Sequence, residues 1–298
     1  MDDFERPKTI VEWVLSNSCN YNCSYCLDLL KRGDNPYPND ETIINVCTDI
    51  FAHYDSLGRD VIFEFIGGEP TLYEKIPNIG NRLHNYPTNL ILRTNGSASL
   101  DWWKKSRQFL SKVIISVHQE FCDISHIENV ISLLRENDKY HPVEMEILFP
   151  VTNHDEVFDR GIKYVKYFRR KYGLGNLQLL YSDFGKGNNT YLPYTHRQWY
   201  KFNKMKESIE NSFNEDISID PTGIVIKTSE QSSYTNMTCY AGIDTLVIDP
   251  RGNVSRGWCH EGGVIGNIYN MPIEWPKDPV ICSKEICKNG LDRKARKE

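Results

Sequence analysis

Short apolar runs alternate with longer amphipathic ones through the first two-thirds of this chain, and few folds accept that pattern. Strand-like segments fall at 10–15, 61–66, 89–93, 113–117, 144–149 and 177–181. They are short and mostly rich in β-branched or aromatic residues. Helix-like segments lie between them at 40–56, 75–86, 100–109, 124–137 and 154–172, with a sixth at 195–213. In the fourth, Ile127, Val130, Ile131 and Leu134 recur at helical spacing on one face. Repeated strand–helix alternation predicts parallel βα units joined by crossovers. Six units are too few for an eight-stranded closure, so an α/β fold with an open, partial (β/α)6 TIM-like barrel is expected.

The texture changes after Tyr181. The stretch 182–194 carries Gly185, Gly187 and Pro193 and reads as a loop. Later segments are shorter and turn-rich. Thr245 to Ile248, the turn Asp249-Pro250-Arg251-Gly252-Asn253, and then Val254 predict a β-hairpin. The expected division is a barrel over 1–214 and a small hairpin-containing module over 215–298.

The chain has 298 residues, enough to bury a large core without a metal as a folding aid. Its net charge of −5 offers no basic excess for a polyanion, so bulk nucleic-acid binding is not expected. No apolar run approaches the ~18–20 residues of a membrane helix. The acidic start Met1-Asp2-Asp3-Phe4-Glu5 makes a poor signal peptide, so a cytoplasmic protein is expected.

That compartment makes nine cysteines a chemical statement, because stable disulfides are rare there and the count is odd. Cys19, Cys23 and Cys26 stand together as C-x3-C-x2-C just after the first strand-like segment. Three thiolates on one short loop can ligate three irons of a cubane and leave the fourth iron open. A structural zinc site needs four ligands, and the nearest further candidates, Cys47 and His53, are distant in sequence. A second group, Cys239, Cys259, Cys282 and Cys287, flanks the expected hairpin and can gather around one metal, either zinc or a cluster. Cys47 and Cys122 read as packing residues.

Further polar residues end the strands, where barrel side chains face the site. Phe65-Ile66-Gly67-Gly68-Glu69-Pro70 closes the second, Thr94-Asn95-Gly96 the third and Ser116-Val117-His118 the fourth. The glycines permit close backbone approach to a ligand, and Glu69 offers an acceptor for an ammonium group. His118 is a candidate acid, base or hydroxyl ligand, and a plain packed histidine is the alternative.

Taken together, these residues resemble the radical S-adenosylmethionine (SAM) superfamily. Its C-x3-C-x-aromatic-C signature matches Cys19, Cys23, Tyr25 and Cys26, and its GGEP motif matches Gly67, Gly68, Glu69 and Pro70. The resemblance implies a [4Fe–4S] cluster on the three cysteines, with SAM chelated at the open iron. It implies SAM contacts from Tyr25, the GGEP residues, Asn95, Ser116 and His118. Electrons would come from a flavodoxin- or ferredoxin-like donor, and a 5′-deoxyadenosyl radical would take hydrogen from substrate. The later cysteines look like a Twitch/SPASM module holding a second, auxiliary [4Fe–4S] cluster. One departure is an enlarged loop of six residues between Gly252 and Cys259, carrying Trp258, with His260 directly after the cysteine. Eighteen residues before Cys19 leave no N-terminal peptide-binding domain to expect. The substrate implied is a peptide or protein side chain. The alternatives are a small metabolite such as a nucleoside or sugar, or a noncatalytic zinc protein.

Overall fold

Six parallel strands and their helices form the body of the chain, seen in a computed structural model that describes residues 6–86, 88–136, 142–181, 191–210, 233–285, 287 and 289–298. The strands are β1 (Lys8–Val14), β2 (Asp60–Ile66), β3 (Thr88–Thr94), β4 (Leu110–Ser116), β5 (Glu144–Val151) and β6 (Asn176–Leu179). They are alternated by α1 (Asp40–Ser56), α2 (Ile76–Leu83), α3 (Leu100–Ser106), α4 (Ile124–Arg135), α5 (Asp155–Tyr172) and α6 (His196–Glu210). Each strand pairs in parallel with the next, from β1 through β6. No pairing joins β6 back to β1, so the six βα units make a partial barrel. Most of the loop expected at 182–194, the end of the sixth helix beyond 210 and the boundary near residue 214 lie outside the described residues.

Local chemistry sets the elements. Asn39, Ser99 and Asp123 cap α1, α3 and α4 by accepting backbone N–H groups of their first turns. Strand residues alternate between two faces. Val11, Trp13, Leu15, Val61, Phe63 and Phe65 are buried completely in the core shared with the helices, each large side chain contributing about 1.5–3 kcal/mol. Ile127, Val130, Ile131 and Leu134 of α4 are all buried in that core, as their spacing predicts. Cys47 is buried there too.

The opposite strand face carries a polar row. Arg93 on β3 bonds Glu64 on β2 at 2.8 Å, and Lys112 on β4 meets Glu144 and Glu146 on β5 at 2.7 and 3.5 Å.

Several boundaries lie a few residues from expectation, and one of these shifts has a visible cause. Helix α3 ends at Ser106 and β4 begins at Leu110, so Phe109 is not helical. Its ring packs where α2 has Gly80, a contact that a side chain at residue 80 would obstruct.

The C-terminal segments are β7 (Thr238–Cys239), β8 (Thr245–Ile248), β9 (Asn253–Ser255), β10 (Val264–Asn267), β11 (Val280–Ile281) and α7 (Gly290–Lys294). The expected hairpin is β8–β9, and Asp249 builds its turn by accepting the N–H groups of Arg251 and Asn253. Beyond that hairpin, β8 pairs in parallel with β1, so β8, β9 and β10 extend the sheet of the barrel strands, while β7 and β11 form a two-stranded sheet of their own. Buried polar contacts fix the join. Arg59 pairs with Asp244 at 2.7 Å, Arg296 closes on the same carboxylate, and the Tyr54 hydroxyl donates to Gly242 O. The Arg59–Asp244 pair is satisfied on several sides, which a buried ion pair requires to offset its desolvation. Among the described residues, no helix is long and apolar enough to cross a membrane.

Candidate functional site

The cysteine loop leaves the carboxyl end of β1 and lies against the exit of β2. Gly68 N–H donates to Ser16 O and Glu69 N–H to Ser18 O, at 2.9 and 2.8 Å. This contact explains the two glycines. A Cβ at Gly68 would sit 2.1 Å from Ser18 O, and one at Gly67 (φ 154°) would sit 2.4 Å from Ser16 O. What approaches them is the backbone of the cysteine loop.

Glu69 is fully buried. Its carboxylate accepts from Thr71 N–H and Oγ1 and from Thr94 Oγ1 on one oxygen, and from Asn95 N–H at 2.6 Å on the other. Burial pushes its carboxyl up, and those donors oppose the shift. Glu69 thereby ties the β2 exit to the β3 exit. Pro70 is buried and opens the 3-10 turn Pro70–Leu72. Asn95 continues the link: its amide donates to Asn20 Oδ1 at 2.9 Å, and Asn20 donates to Ser97. The first cysteine is thus held from β2 and β3 together.

Cys23 is buried, while Cys19 and Cys26 are half-buried. A turn from Cys26 N–H to Cys23 O brings the last two together, and Lys31 Nζ also donates to Cys23 O. Burial pushes the Cys23 thiol up to about 12. Tyr25 opposes this, while Glu120, Cys26 and Cys19 reinforce it. Cys19 and Cys26 are raised by burial as well. Burial thus disfavours ionising any of these three thiols of one loop alone, and a multivalent cationic partner would reverse that.

Ser116 ends β4, and His118 follows it. His118 Nδ1 lies 2.7 Å from the Tyr25 hydroxyl, and burial pushes the imidazole down to about 4. Glu120, which sequence reading does not single out, accepts from Ser24 N–H and Oγ.

Two members of the second cysteine group meet at the separate two-stranded sheet. Pairing of β7 with β11 brings Cys239 and Cys282 into one small apolar cluster with Ala241 and Ala295. Cys287 is buried and Cys259 half-buried. Burial pushes Cys259 to about 12 and Cys287 to about 11, and the charges of neighbouring cysteines in the group reinforce both. Asp292 of α7 accepts Trp258 N–H at 2.8 Å, beside Cys259. Cys122 is half-buried, at the foot of the His118 turn. Among the described residues, no three His, Cys, Asp or Glu side chains are packed closely enough to hold a single metal ion.

The enlarged loop before Cys259 has a visible role. Trp258 Nε1–H donates to Glu12 Oε1 at 2.6 Å, joining that loop to the polar row on the open face of the barrel strands. Burial and then the Glu64 charge push Glu12 up to about 7, against Arg93, Trp258 and Lys294. The folded state therefore holds this proton more tightly than the unfolded chain. The resulting stability is full below the ordinary carboxylate range and is lost as pH rises through about 7. Glu12→Gln keeps the acceptor for Trp258 and is expected to flatten that loss. Thermal unfolding at about pH 5 and about pH 8 measures it, with a gain on the order of 1–2 kcal/mol at the higher pH.

Comparison with known proteins places this geometry. No family model matches the chain. A protein of Thermococcus kodakarensis named "Probable GTP 3',8-cyclase" is 27% identical over 168 residues, 53% of each chain. The GTP 3',8-cyclase of Haemophilus influenzae is 24% identical over 56% of this chain and 52% of its own. The chain thus spans about half the length of the curated relatives it matches. Native anSMEcpe with bound AdoMet superposes with a TM-score of 0.55 at 22% identity, over 89% of this chain and 79% of that one. Streptococcus suis SuiB bound to precursor peptide SuiA gives 0.57 at 14% identity, over 92% and 64%.

These likenesses support the resemblance to the radical SAM superfamily. Backbone hydrogen bonds join the cysteine loop at the β1 exit directly to the Gly67-Gly68-Glu69-Pro70 turn at the β2 exit. Several supporting residues have no local sequence signal. Glu120, Asn20 and Glu12 act through partners between 75 and 246 positions away.

Proposed function

We propose that this protein binds a [4Fe–4S] cluster on Cys19, Cys23 and Cys26 and reductively cleaves SAM. The observation that carries this reading is the three-thiol loop packed on the Gly67–Glu69 turn at the carboxyl ends of β1 and β2. Those three thiolates would hold three of the cluster's four irons and leave the fourth to SAM. When bound there, the cluster would supply the single electron for reductive cleavage of the C5′–S bond of SAM to methionine and a 5′-deoxyadenosyl radical. That electron comes from a flavodoxin- or ferredoxin-like donor. Hydrogen transfer from substrate would then yield 5′-deoxyadenosine and leave the substrate one hydrogen atom short.

The chain's own residues hold and border this site. Glu69 fixes the β2 and β3 exits, and Asn95 passes that order to Asn20 inside the cysteine loop. Gly67, Gly68, Pro70, Ser116, Tyr25 and His118 complete the border that SAM would meet. Cys239, Cys259, Cys282 and Cys287 would hold an auxiliary [4Fe–4S] cluster.

The substrate we favour is a peptide or protein side chain. Support comes from fold neighbours that cover about nine-tenths of the chain. SuiB is seen with precursor peptide SuiA, and anSMEcpe with the Cp18Cys peptide at a TM-score of 0.53. A small metabolite is the second reading, favoured by the curated GTP 3',8-cyclases, whose similarity covers 53–56% of the chain. Incubation with SAM, reductant and either GTP or a peptide panel, followed by mass spectrometry, separates the two. Peptide modification with GTP unchanged supports the first; GTP turnover without peptide overturns it. Cys259→Ala is expected to lower iron by about four per chain and leave the first cluster's SAM-dependent signal intact. Unchanged iron would refute the auxiliary site.

A further inference from the structure

We propose that His118 and Glu120 are positioning residues that hold the Ser24–Tyr25 arm of the cysteine loop, and with it the spacing of Cys23 and Cys26. The proposal rests on the cluster reading above and adds to it a role for the turn after β4. Ser24 and Tyr25 are the only residues between those two cysteines. Both are gripped from the same turn. Ser24 N–H donates to Glu120 Oε2 at 2.8 Å and its hydroxyl donates to Oε1. The Tyr25 hydroxyl meets His118 Nδ1 at 2.7 Å, and the two rings stack at 5.9 Å and 25°.

The turn is itself fixed. Phe121 and Cys122 N–H groups both donate to His118 O, at 3.0 and 2.9 Å. Phe121 stacks on Tyr21 at 5.4 Å, and Tyr21 stands edge-on to His118 at 6.3 Å. Three aromatic contacts and three polar ones therefore join the β1 exit to the β4 exit, although two strands separate β1 from β4 in the sheet. Backbone bonds from the β2 turn hold Ser16 and Ser18, at the start of the cysteine loop. The β4 turn holds the other end. A thiolate loop secured at both ends presents its ligands at a fixed spacing, and neighbours of this kind commonly change metal affinity 10–100-fold when removed.

The test uses the full chain, with iron and without. Backbone amide exchange at Ser24 reads the grip directly, and Glu120→Ala is expected to accelerate it at least several-fold in both forms. Iron release to a chelator and the electron paramagnetic resonance spectrum of the reduced first cluster read the consequence. His118→Phe keeps a ring and removes the nitrogen; it is expected to release iron roughly tenfold faster and to broaden the spectrum. His118→Asn places an acceptor near Nδ1 and is expected to restore both. Native Ser24 exchange in Glu120→Ala, or native iron release and spectrum in His118→Phe, would overturn the proposal. A chain that takes up no four-iron cluster, yet shows faster Ser24 exchange in Glu120→Ala, would instead refute the cluster reading and leave the grip standing.

Discussion

Cys23→Ala is expected to abolish formation of 5′-deoxyadenosine from SAM and to lower bound iron by about four per chain. Cys23 is the buried middle member of the three, and Cys26 N–H and Lys31 Nζ are both anchored on its carbonyl. Two thiolates would remain where the site offers only three, so the expected loss is of the whole first cluster rather than one ligand's share. The backbone bonds to Cys23 O survive the substitution, so the fold is expected to persist with little change in unfolding temperature. Iron analysis, far-ultraviolet circular dichroism and chromatography of the SAM products check all three parts. Native cleavage in this variant would mean that the chemistry lies elsewhere.

The second large effect comes from a residue with no side chain. Gly68→Ala places a Cβ 2.1 Å from Ser18 O, 2.5 Å from its carbonyl carbon and 3.0 Å from Cys19 N. All three are backbone atoms, so the cysteine loop must move as a unit. The cost is on the order of 3 kcal/mol, with loss of the first cluster. Gly58→Ala is the control. Its Cβ meets nothing within 4 Å, and only its positive φ of 71° opposes it, at about 1 kcal/mol. Iron content in Gly58→Ala is expected to stay native. Thermal unfolding and iron counts on the two variants separate a specific steric block from a general cost of removing glycine.

The pattern of apolar residues makes much of this fold legible. The segment 40–56 is helical over its whole length because Asn39 caps it and its buried positions recur at helical spacing. The hairpin at Thr245 is legible because Asp249 and Gly252 dictate a turn. The three-cysteine loop is legible because spacing alone restricts what such thiols can hold. The parallel pairing of β8 with β1 is not, because it joins segments more than 200 residues apart with no local signal. The same holds for Trp258 on Glu12 and for Glu120 on Ser24. The two glycines illustrate a middle case. Their permissiveness is visible in sequence, but only the structure shows that the approaching group is the cysteine loop's own backbone.

Glu69 teaches a related lesson about function. Sequence reading offers it as an acceptor for a ligand's ammonium group, and in the fold four donors from Thr71, Thr94 and Asn95 converge on its carboxylate. A buried carboxylate so satisfied is rigid, and its first effect is to hold two strand ends in register with the cysteine loop.

The central claim is that Cys19, Cys23 and Cys26 carry a redox-active cluster that splits SAM. Anaerobic reconstitution with iron and sulfide, followed by reduction in the presence of SAM and quantitation of 5′-deoxyadenosine, tests it most directly. The account predicts a brown protein with about four irons for each cysteine group and 5′-deoxyadenosine that disappears in Cys23→Ala. A colourless protein that takes up zinc at both groups and leaves SAM intact would contradict it.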